Sequence, residues 1–316
     1  MERETSDNRT GGAAAGLSVR PVPASGEAGA ENRTMTPAGS EGPRREAFPT
    51  WRDVLAMLGM LVLGTLAGGV VAGLLLHTGS ASQGLAMFVG YVVQFSSAIL
   101  FSLWLKVVRG GGRPLLRFSL RGGSPVIVLW GVILTFAASV VIEPLLELFP
   151  EEQFAPLQQL VGMGGWMMLT SVVVAPVMEE IFFRGIVQES VAGRHGPVAG
   201  ILTASVIFAA AHYTVPPQAL NAFCVALVLG CVYARTRSLV PVILIHAVNN
   251  AIAWFTMVLE DGRIETTRAM IGDESVYRIV YAVAVAVLAA GCVQMFFSLR
   301  RRKRPEGASG DNKLNA

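Results

Sequence analysis

Residues 166–191 read WMMLTSVVVAPVMEEIFFRGIVQESV. The first half carries no charge, and the second half holds Glu179, Glu180, Arg184 and Glu189 among apolar neighbours. At about 1.5 Å per residue the stretch makes roughly 39 Å of helix, enough to cross a hydrocarbon core about 30 Å thick. Ionisable side chains at such depth are costly, so they mark functional sites by default. This one segment therefore sets two expectations, a membrane-spanning helical protein and a site built inside it.

Composition agrees with the first. Hydrophobic residues make up 53% of the chain, charged residues 15%, and the mean hydropathy is +0.54. Soluble chains carry about 25% charged residues. Applying the span length along the sequence predicts about eight spans, near 54–76, 85–105, 126–145, 166–191, 198–213, 219–234, 239–259 and 276–299, the fifth of them short. The expected fold class is an all-α polytopic transmembrane bundle. Residues 1–49 are rich in Gly, Ala, Ser, Pro, Glu and Arg. They cannot bury enough apolar surface to offset ordering entropy and are expected to be a disordered cytoplasmic tail. No apolar stretch follows the first charges, so the tail does not read as a signal peptide. Residues 50–300 form the expected transmembrane domain, and 301–316 a second cytoplasmic tail.

Lys and Arg set the orientation. Arg44, Arg45 and Arg52 precede the first span; Lys106, Arg109, Arg113, Arg117 and Arg121 follow the second. Arg194 follows the fourth, Arg235 and Arg237 the sixth, and the run from Arg300 to Arg304 closes the eighth. These are alternate loops, so both termini are expected in the cytoplasm of a multi-pass cell-membrane protein. A net charge of +3 with no aromatic-interleaved basic patch gives no support for nucleic acid. Cys224, Cys231 and Cys292 all lie in apolar runs and read as small buried hydrophobes, not a disulfide framework.

Three polar groups interrupt the later spans: Glu179, Glu180 and Arg184; His212; and His246 with Asn250. Gly193 to Pro197 reads as a turn. Glu179 lies about 14 residues before it and His212 about 15 after it, or roughly 21 and 22 Å of helix, which brings them to a common depth. His246 and Asn250 are four apart on one helix face, and Glu180 and Arg184 share the same spacing and can pair. Glu179 points about 100° away from Glu180, free for another partner. A lone Asn in a span is usually interhelical glue, and the Glu180–Arg184 pair alone reads as structural. Two carboxylates, two imidazoles and an amide at similar depth have no comparably simple packing explanation.

At these residues the sequence resembles the CAAX protease and bacteriocin-processing family, the type II CAAX prenyl endopeptidase or Abi group. Its Glu-Glu-x-x-x-Arg motif stands at Glu179–Arg184, its Phe-x-x-x-His motif at Phe208–His212, and its His-x-x-x-Asn motif at His246–Asn250. The resemblance covers roughly residues 165–255, within an expected catalytic core at 165–258. It implies an intramembrane endopeptidase acting on a membrane-associated peptide or protein. Glu179 and His212 would activate water, His246 and Asn250 would stabilise the oxyanion, and Glu180 and Arg184 would brace the site. No cofactor is implied. Zinc stays open as a rival, with Glu179, His212 and His246 as ligands, although the His-Glu-x-x-His helix of metallopeptidases is absent. Two non-hydrolytic rivals also stand: an immunity or scaffold protein that keeps the fold, and a carrier with a Glu/His proton relay. No internal repeat supports the carrier.

Overall fold

The computed structural model describes residues 48–110 and 124–301, the side chains up to Ser298. Residues 1–47 of the expected tail, together with Arg113, Arg117, Arg121 and the basic run from Arg302, lie outside the described residues; Phe48 and Pro49 are described. Ten helices make up the described fold: α1 Trp51–His77, α2 Gln83–Gly110, α3 Pro125–Leu146, α4 Ala155–Gly162, α5 Gly165–His195, α6 Pro197–Ala211, α7 Pro216–Thr236, α8 Leu239–Leu259, α9 Thr267–Ile271 and α10 Glu274–Arg301. A 3₁₀ turn, Glu151–Phe154, leads into α4.

Seven of these helices are long and apolar enough to cross a membrane. The fifth expected span, α6, has 15 residues. At about 1.5 Å each that is roughly 22 Å, short of a full crossing by itself. The other seven expected spans appear within a few residues of their predicted bounds. Large apolar side chains such as Leu63, Leu66, Val70, Leu100, Trp104, Phe296 and Phe297 stand on the outside. That surface is what a lipid solvent requires, and it makes the chain a multi-pass membrane protein.

Helix ends are fixed locally. Thr50 and Asp53 form a reciprocal capping box at α1: Thr50 N–H donates to Asp53 Oδ2 at 2.7 Å, and Asp53 N–H donates to Thr50 Oγ1 at 3.3 Å. Such caps satisfy amides that the first helical turn leaves without partners. Ser124 caps α3, with Pro125 at the first position, where a missing N–H costs nothing. Gly196, at φ 89°, turns the chain from α5 into α6 in a conformation that side-chain-bearing residues rarely adopt.

The bundle has two recognisable ends. At one, Arg109 of α2 pairs with Asp53 of α1 at 2.6 Å, and Arg194 of α5 donates to the Pro49 carbonyl. Arg237, after α7, pairs there with Glu189 of α5. Arg235 lines a cleft with Val126 of α3 and Ser298 of α10. At the other end Gln83, Met163, Val258 and Asp261 line one polar pocket, and Glu143 and Glu147 of α3 meet Thr267 and Arg268 of α9. The starts of α1 and α3 and the ends of α2, α5, α7 and α10 thus share one end. Trp51 and Ser298 lie at the same end, and α6, short as it is, leads the chain from the end of α5 back to the start of α7.

Candidate active site

The site is built on α5, and α5 is not uniformly wound. Its α-helical turn Ala175–Glu180 is flanked by two wider π-helical stretches, Thr170–Val174 and Ile181–Gln188. Wide turns of this kind are frequent at functional sites. Pro176 accounts for one consequence. It has no N–H, so a carbonyl one turn earlier loses its donor. In π register that carbonyl belongs to Ser171. It accepts instead from Asn250 Nδ2 on α8, at 2.9 Å. The amide of Asn250 therefore repairs a gap that proline opens, and its second N–H remains for another acceptor.

The two glutamates diverge as their spacing predicts. Glu180 is fully buried and accepts from Arg184 Nη1 at 2.8 Å, the expected one-turn pair. The same oxygen faces His246 Nδ1 at 2.8 Å, a contact the sequence did not suggest. Arg184 also donates to the Ala226 carbonyl of α7 at 3.3 Å and stacks over the Phe208 ring at 4.9 Å. One turn further, Gln188 donates to the Gly230 carbonyl at 2.7 Å. Glu180, Arg184 and Gln188 thus form a polar stripe on α5, read out by the backbone of α7. Gly230 lets the helices approach, since a Cβ there would stand 3.0 Å from Gln188 Oε1.

Glu179 turns the other way. Its Oε1 accepts from the Tyr91 hydroxyl of α2 at 2.5 Å, and its Oε2 stands 3.6 Å from His246 Nε2. His246 consequently lies between two carboxylates. Its Nδ1 carries the proton, because the Glu180 oxygen it faces also takes the arginine and stays an acceptor.

His212 is at the far end of α6, half-buried. Its Nδ1 donates to the Phe208 carbonyl at 2.9 Å; a carbonyl can only accept, so in the neutral ring Nε2 is the acceptor nitrogen. Phe208 lies against both imidazoles, 4.9 Å from His212 and 5.8 Å from His246 between ring centroids. Among the described residues no hydrogen bond joins His212 to Glu179. Nor is any group of three or more His, Cys, Asp and Glu side chains among them found placed to hold one metal ion.

All three motifs therefore come together around Phe208 and His246, on α5, α6 and α8. Residues 162–252 match the family model described as Rce1-like, type II CAAX prenyl endopeptidase. The matched segment runs from the turn before α5 into α8 and contains every residue of the three motifs. It leaves out α1, α2, α3 and α10, so Tyr91 lies outside it. No curated protein and no solved structure matches the chain.

Two members of the site escaped the sequence reading. Gln188 left a signal, since it repeats the four-residue spacing of Glu180 and Arg184. Tyr91 left almost none: a single tyrosine in an apolar span is ordinary, and only the fold reveals which partner its hydroxyl meets.

Proposed function

We propose that the protein is a CAAX prenyl protease-like intramembrane endopeptidase that hydrolyses a peptide bond of a membrane-associated substrate with a carboxylate-activated water. The observation that carries this reading is the position of Glu179, a buried carboxylate whose Oε1 is held by Tyr91 while Oε2 faces His246. In this mechanism Glu179 takes one proton from water as the water oxygen bonds to the scissile carbonyl carbon. The carbonyl oxygen becomes an oxyanion that accepts from His246 Nε2–H and from the second N–H of Asn250. Such donors act mainly in the transition state, where each contributes several kcal/mol at about 3 kcal/mol apiece. Collapse of the tetrahedral intermediate breaks the C–N bond, and Glu179 returns its proton to the leaving amine. His212 Nε2 assists at the water, and Glu180 and Arg184 keep His246 oriented and charged. No resident metal or cofactor is required by this scheme.

Glu179→Gln is the sharpest test, because it keeps size and most hydrogen bonding but cannot take a proton from water. The full chain in liposomes is given a quenched fluorogenic peptide ending in a farnesylated Cys-aliphatic-aliphatic-X box, beside its unprenylated twin. Wild type is expected to cleave, and Glu179→Gln is expected to fold, bind and fail to cleave. Activity near wild type would remove Glu179 as the base. If Glu179→Gln fully rescues a deletion phenotype in cells, the immunity or scaffold reading replaces the protease.

The arginine-rich end of the bundle is, on this reading, the cytoplasmic one, and both termini lie on that side. Reporter fusions at Arg194 and Arg237 are expected to report cytoplasm, and fusions at Gln83 and Asp261 the opposite face. A cytoplasmic signal at Asp261 would invert the assignment.

A further inference from the structure

We infer that Tyr91 is a positioning residue for Glu179, fixing which carboxylate oxygen is left to meet water; the inference rests on Glu179 being the general base. A hydroxyl inside an apolar span must find an acceptor. A phenol is too long to reach a carbonyl of its own helix, so a tyrosine takes its acceptor from a neighbouring one, and Tyr281 of α10 donates in this way to the Val141 backbone carbonyl of α3 at 3.2 Å. Tyr91 instead meets a carboxylate. It reaches across from α2 to Glu179 Oε1 at 2.5 Å, a separation typical of a hydroxyl donating to a charged oxygen.

The surroundings hold Tyr91 in place from two sides. The residue before it, Gly90, sits against α1 so closely that a Cβ on Gly68 would stand 2.2 Å from the Gly90 carbonyl oxygen. This backbone-to-backbone seam fixes α2 at the level of Tyr91. Its ring lies 4.8 Å from Phe95, which is buried and meets Phe182 and Phe183 of α5 edge-on. The aromatic cluster that seats α5 therefore also seats the phenol that grips its glutamate. With Oε1 occupied, a single oxygen, Oε2, remains on the His246 side. The hydroxyl removes a rotational choice from the carboxylate, and positioning of this kind is felt in the chemical step more than in binding.

The test compares Tyr91→Phe, Glu179→Gln and wild type on the farnesylated quenched peptide in liposomes, with kcat and KM measured across pH. A third protein carries 3,5-difluorotyrosine at position 91, a more acidic phenol and a stronger donor. Tyr91→Phe keeps the ring contacts and loses one hydrogen bond to a charged group. It is expected to lower kcat about 10- to 100-fold with KM little changed. Its acidic limb is expected to move to higher pH, because a carboxylate that loses a donor holds its proton longer. Difluorotyrosine is expected to move that limb the opposite way. Wild-type kcat and an unmoved limb in Tyr91→Phe, with Glu179→Gln inactive, would overturn the role of Tyr91 and leave the protease reading standing. Full activity in Glu179→Gln would overturn both. A loss in Tyr91→Phe accompanied by a lower unfolding temperature and an unmoved acidic limb would reduce Tyr91 to packing and also overturn the inference.

Discussion

Two ion pairs in this molecule have the same length and different surroundings. Glu180–Arg184, in the middle of α5, closes at 2.8 Å with side-chain exposures of 0% and 1%. Arg268–Glu274, on the loop side of α10, also closes at 2.8 Å, with exposures of 48% and 46%. The first joins charges that have no water to return to, so each partner, once formed, depends on the other. The second joins charges that water solvates nearly as well when apart. Distance alone would score them equally. Burying two charges is by itself weak evidence for stability, and on the proposed reading the inner pair serves to orient His246 through Glu180.

The largest expected effect tests the inner pair directly. Arg184→Ala leaves Glu180 charged, buried and facing only His246. Removing one partner of a buried pair costs about 3–5 kcal/mol. The unfolding temperature of the full chain in detergent is expected to fall clearly, and activity with it. A double replacement, Glu180→Leu with Arg184→Met, sharpens the point. It removes both charges and keeps volume, so it is expected to be more stable than Arg184→Ala alone while remaining inactive, because His246 has lost its orienting carboxylate. Arg184→Ala with wild-type thermal stability would show that the pair braces nothing.

Parts of this contrast were legible in the sequence, and the reason differs by residue. The one-turn spacing of Glu180 and Arg184 predicts their pairing because helix geometry is local. The spans were readable because about 20 apolar residues have few other uses. Helix α6 was expected to be short, and 15 residues bear that out. The contact between Glu180 and His246 was not readable, since it depends on how α8 rotates against α5. Pro176 stood in view, but its consequence for Ser171 and Asn250 follows only from the π register of the turn before it. Tyr91 was least legible, because no spacing rule links α2 to α5. Local periodicity carried the fold and the motif residues; the partners across helices came only with packing.

The outer pair provides the smallest effect, and the choice of residue decides whether the test is clean. Arg268 does more than pair with Glu274: its guanidinium lies 5.6 Å from the centroid of the Tyr277 ring and 3.6 Å from Glu147. Replacing it would remove a cation–π contact as well as a charge. Glu274→Gln is cleaner, since it keeps the shape and leaves Arg268 on Tyr277 and Glu147. It does remove a negative charge from the first turn of α10, where the helix dipole favours one, and it frees Arg278, 3.6 Å away. Both contributions are exposed and are screened within a Debye length of roughly 8 Å at physiological salt. The unfolding temperature of Glu274→Gln is therefore expected to differ slightly from wild type at low salt and to coincide with it as salt rises. Arg184→Ala is expected to stay destabilised at every salt concentration, because no ion reaches the inner pair. A loss in Glu274→Gln as large as that in Arg184→Ala, and equally indifferent to salt, would mean that separation rather than burial governs these pairs.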